Sequence, residues 1–81
     1  MNKPVRGYDS LFIQRVKSAD LDKEVKALAL ACIKHAVSIS QAADLLKVTR
    51  ATVYNWVTGR TKPYPKYLAV MPEVTAQIKQ Q

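Results

Sequence analysis

The sequence predicts a small all-α domain of four to five helices, two of them joined by a tight turn, and three observations carry that reading. Residues of one face recur at helical spacing, most clearly the largely apolar series Leu21, Val25, Leu28, Cys32 and His35, separated by four, three, four and three positions. Residues suited to capping a helix N-terminus stand before each apolar run, at Asp9 or Ser10, Asp20, Ser38 and Thr49. No apolar–polar alternation is long enough to demand a sheet, although a short strand near 62–67 stays open.

Taken in order, residues 1–8 carry Lys3, Pro4, Arg6 and Gly7, a mixture that reads as a flexible basic arm ahead of a single domain over 9–81. Asp9 or Ser10 opens a short helix to about Lys17, with Leu11, Phe12 and Val16 available for packing. Asp20 is expected to cap the second helix, whose first turn holds Asp22 and Glu24 where the macrodipole favours acids, with Lys34 near its far end. Ala27, Ala29, Leu30, Ala31 and Ile33 widen its apolar face, as befits a central core helix.

From Ser38 two short helical patterns follow closely. Ser38 and Gln41 have capping-box spacing, so a helix begins at Ile39 and carries Ala42, Ala43, Leu45 and Leu46. Thr49 caps the next, Arg50 to Val57, leaving only Lys47 and Val48 between, and Gly59 sits where a C′ glycine belongs. Helices joined so tightly cross steeply, which calls for a small residue at the contact, here Ala43, and apolar residues facing the core, here Val53 and Trp56. This is a helix-turn-helix over about 38–57. Its outward face is Arg50, Ala51, Tyr54, Asn55 and Thr58. Beyond it, Pro63 and Pro65 flank Tyr64 in an extended or turned segment, Pro65 opens a short helix to Met71, and Pro72 opens another through Ile78.

Composition limits the function. The 81 residues support one modest core, and with 13 Lys and Arg against 6 Asp and Glu the net charge is +7, which favours a polyanionic partner. No acid lies between Asp44 and Glu73, whereas Lys47, Arg50, Arg60, Lys62 and Lys66 all do. The single cysteine, Cys32, excludes an internal disulfide and fits a reducing cytoplasm. The longest apolar run, Ala27 to Ile33, is far short of the roughly 20 residues that cross a bilayer, and the first residues do not read as a signal peptide, so no membrane association is expected. Cys32 and His35 stand one turn apart, but a structural metal site takes about four ligands; they read as a core residue and a helix-end residue. No nucleophile, base and orienting group assemble from one Cys, one His and scattered acids, and no glycine loop cradles a phosphate, so neither catalysis nor a cofactor is expected.

The run Ala42-Ala43-Asp44-Leu45-Leu46-Lys47-Val48-Thr49-Arg50-Ala51-Thr52-Val53-Tyr54-Asn55-Trp56 resembles the helix-turn-helix of bacterial and phage regulators, especially the lambda-repressor and Cro-like group, and Val57 to Pro63 resembles the segment that follows the recognition helix there. The turn position most often held by glycine in that group is Lys47, which sets a steric cost of roughly 1 kcal/mol for positive φ and adds a cation beside the backbone path. The resemblance implies sequence-specific binding to double-stranded DNA. Base contacts fall to Arg50 for guanine, Asn55 for adenine and the Ala51 methyl for thymine. Backbone contacts fall to Lys47, Thr49, Thr52, Tyr54, Thr58, Arg60 and Lys62.

The expected role is that of a repressor or Cro-like regulator that occludes polymerase. An accessory factor such as an excisionase or terminase small subunit, or a protein-interaction module with a basic face, are the alternatives. One recognition helix reads few base pairs, so a homodimer is expected, with Leu68, Met71, Val74 and Ile78 either forming its surface or completing the core. Trp56 and Tyr67 are either stacking platforms for single strands or, as the core spacing of Trp56 favours, packed residues. Lys3 and Arg6 belong either to a disordered tail or to an arm that enters a neighbouring minor groove.

Overall fold

A computed structural model describes residues 8–80. Five helices follow one another along the chain: α1 (Ser10–Ser18), α2 (Lys23–Lys34), α3 (Ile39–Leu46), α4 (Arg50–Val57) and α5 (Pro65–Lys79). Among the described residues there is no strand, and 60–64 is irregular. Helix α2 is the hub, packing against α1, α4 and α5, while α3 packs against α4 and α5. Its Val25, Leu28, Ala29, Cys32 and Ile33 are buried, together with Val16 of α1, Ala42, Ala43 and Leu46 of α3, and Val53, Trp56 and Val57 of α4. No helix is long and apolar enough to cross a membrane, among the described residues.

Local chemistry sets most of the boundaries. Asp9 Oδ1 accepts the Phe12 amide at 2.8 Å and starts α1. Ser38 and Gln41 form the full capping box, with Gln41 N–H to Ser38 Oγ at 3.1 Å and Ser38 N–H to Gln41 Oε1 at 3.0 Å. Thr49 Oγ1 accepts the Thr52 amide at 3.2 Å and starts α4. The ends of α2, α3 and α4 share one device, in which a left-handed residue lets the following amide reach back five positions. Val37 N–H donates to Cys32 O, Val48 N–H to Ala43 O and Arg60 N–H to Asn55 O, across Ala36 (φ 56°), Lys47 (φ 61°) and Gly59 (φ 81°). Only the last is glycine. At Gly59 a Cβ would come within 3.3 Å of the Ala19 Cβ, so conformation and space both select the smallest residue there.

Several expectations are corrected. Helix α2 begins at Lys23 and is preceded by Asp22, whose side chain makes no capping bond, so Asp20 is not its cap. The displacement goes with Leu21, which is partly buried against the core and lies near Gly59. Tyr8 is not part of a free arm; it is 6% exposed, its ring stacks on Phe12 with centroids 5.0 Å apart, and its hydroxyl donates to Val37 O. Lys3 and Arg6 lie outside the described residues. Pro72 does not divide the C-terminal segment, because α5 runs through it unbroken. A proline inside a helix costs roughly 3 kcal/mol. Burial of Met71, Val74 and Ile78 on the same helix returns about 1.5–3 kcal/mol each and outweighs that cost. Those three residues therefore complete the core and present no surface to a second copy, while Leu68 is half-buried.

Candidate nucleic-acid interface

Helix α4 advances about 100° per residue, which sorts its side chains once the buried ones are known. Val53, Trp56 and Val57 are the inward face, at 0, 5 and 0% exposure. The opposite ridge is Ala51, Asn55 and Thr58, with Ala51 exposed and the other two partly so. Arg50 and Tyr54 form one flank of that ridge and Thr52, with Thr49 beside it, the other. The polar and cationic side anticipated for this helix faces outward. Trp56 is confirmed as a core residue, its indole tilted against the Tyr67 ring at 5.1 Å, and is not a free stacking platform.

Each flank opens onto a cleft. On the first, Arg50 and Tyr54 meet Leu11, Phe12 and Arg15 of α1 around a cavity of about 270 Å³. The Tyr54 ring lies tilted against Phe12 with centroids 5.9 Å apart, so Tyr54 is half-buried and its aromatic face is engaged within the protein. Beneath the cleft, burial holds the Tyr8 phenol well above its ordinary range; the Cys32 thiol acts in the same sense and the Arg50 guanidinium opposes it. Burial also pushes the Cys32 thiol up to about 11, with the neighbouring Tyr8 hydroxyl acting in the opposite sense.

On the second flank, Thr49 and Thr52 line a cleft of about 450 Å³ with Thr61, Lys62, Tyr64 and Tyr67. The Thr49 and Thr52 hydroxyls lie 2.7 Å apart, and both residues stay accessible. Lys62 and Tyr64 are exposed, and Lys66 Nζ lies 5.0 Å from the Tyr67 ring centroid. Thr58 is held by its own helix, its hydroxyl donating to Tyr54 O at 2.7 Å. Arg60 is exposed beyond the helix end. Lys47 is exposed at the left-handed position of the turn.

The anticipated residues thus converge on one helix and its two borders. Arg15, Thr61 and Tyr64 join them without having been singled out, since only the fold brings α1 and the 60–64 segment against α4. The sequence signal that Thr61 and Tyr64 share is the acid-free interval that contains them.

Residues 20–59 match the model of a family described as the homeodomain-like domain, of helix-turn-helix type. The match takes in α2, α3 and α4, and thus the tight turn and the helix whose polar ridge is uncovered. A helix-turn-helix of this kind points to DNA binding. No curated protein and no solved structure matches the chain.

Proposed function

We propose that the chain binds double-stranded DNA sequence-specifically, with α4 in the major groove, and acts as a repressor or Cro-like regulator by occupying its site. The observation that carries this reading is the outward ridge of Ala51, Asn55 and Thr58, backed by the buried Val53, Trp56 and Val57. Asn55 and the Ala51 methyl present to base edges, as a bidentate amide for adenine and an apolar contact for the thymine methyl. Arg50 enters from the flank. Lys47, Thr49, Thr52, Arg60 and Lys62 align the helix on the phosphates, and Tyr54 and Thr58 brace its exposed side.

An eight-residue helix is about 12 Å long and spans some three or four base pairs, too few to define a site in a genome. Two copies on half-sites one helical turn apart supply the missing specificity. Selection from a random duplex pool is the direct test. A palindromic site, with log affinity falling against log salt at a slope of about −4 to −5 per copy, supports the reading. Duplex binding without sequence preference and unaffected by Asn55→Ala would overturn it.

A further inference from the structure

A helix lying in the major groove has a phosphate backbone on each side, so the two flanks of α4 face different strands. The cleft on the flank of Thr49 and Thr52 is also lined by Thr61, Lys62 and Tyr64, hydroxyls and a cation of the kind that suits a phosphate. The other flank has no basic residue on α4 besides Arg50, and the second cation that lines its cleft among the described residues, Arg15, comes from α1, outside the helix-turn-helix. Among the described residues, the only acid lining this cleft is Asp9, whose Oδ1 is held by the Phe12 amide and whose charge faces the positive end of α1. Two arginines on separate elements, which are held together through the Phe12–Tyr54 contact, therefore line one cavity of about 270 Å³.

We propose that Arg15 and Arg50 together hold one phosphodiester of the DNA strand on the α1 side, so that α1 is part of the interface and fixes the angle of α4 in the groove. The inference rests on the duplex-binding reading above. Because a phosphate is common to every step of the duplex, Arg15 contributes affinity and orientation without discriminating bases. Arg15 is exposed, so replacing it leaves the core untouched.

The test is fluorescence anisotropy on the full chain with a selected duplex of about 20 base pairs and a scrambled duplex of equal length, between about 50 and 200 mM salt. Wild type, Arg15→Gln, Arg15→Lys and the distant surface control Lys79→Gln are compared, with circular dichroism to verify equal helicity. Arg15→Gln is expected to weaken both duplexes by the same factor, about fivefold, and to lower the magnitude of the salt slope by up to about 0.9. Arg15→Lys keeps most of the slope, and Lys79→Gln changes neither quantity. Wild-type affinity and slope in Arg15→Gln overturn the clamp while leaving duplex binding intact. Absence of salt-dependent duplex binding in the wild type overturns both.

Discussion

Lys47 carries two demands that conflict. Its φ of 61° is the left-handed conformation in which a side chain is strained, and its ammonium stands exposed at the turn that leads into α4. Lys47→Gly is therefore expected to raise stability by about 1 kcal/mol in chemical denaturation while weakening duplex binding, because one phosphate contact is lost. Unchanged duplex binding would place Lys47 outside the DNA interface, and unchanged or lower stability would deny the strain. Cys32 behaves differently, since its thiol is buried and pushed up to about 11. In the folded protein it is expected to resist thiol reagents at pH 8 and to react on unfolding. The folded pKa lies above the ordinary value of 9.0, so the unfolded chain ionises first. Stability is complete below about pH 9 and falls as pH rises toward 11, and Tyr8 acts in the same direction. Denaturation midpoints that stay flat from pH 8 to 11 would contradict this.

At the scale of elements, what was legible in the sequence was what is decided locally. Ser38 with Gln41, Thr49 and Gly59 mark helix ends through bonds spanning a few residues, and α3 and α4 begin and end where those residues place them. The misread boundaries are those that distant contacts decide. Tyr8 is fixed by Val37, 29 positions away, and the start of α2 goes with the packing of Leu21 near Gly59. The left-handed Ala36 carried no glycine to announce it. Pro72 shows a local rule giving way to burial, and it yields a prediction. Pro72 is exposed, and its lost amide bond is not needed to end the helix. Pro72→Ala is expected to stabilise the protein by about 1–2 kcal/mol, a rise in Tm of about 4–8 °C per kcal/mol. A lower Tm would show that the ring supports the contact between α5 and α2.

At the scale of the whole molecule, the fold divides its surface. The clefts bordering α4 gather Arg15, Arg50 and Lys62, whereas the groove between α2 and α5, lined by Ala27, Pro72, Thr75 and Ala76 among others, shares no residue with them. The overall charge of +7 was plain from composition, but its assignment to particular borders of α4 required the packing of α1, because nothing in the order of residues relates Arg15 to Arg50. The central claim is that α4, with its two borders, is the surface that meets DNA. Titrating the ¹⁵N-labelled protein with its selected duplex and following backbone amide shifts tests this most directly. The account expects large shifts at Arg15, Lys47 to Ala51, Asn55 and Arg60 to Lys62, with Ala27, Leu30, Ala76 and Lys79 unmoved. Shifts concentrated along α2 and α5, with Ala51 and Asn55 silent, would contradict it.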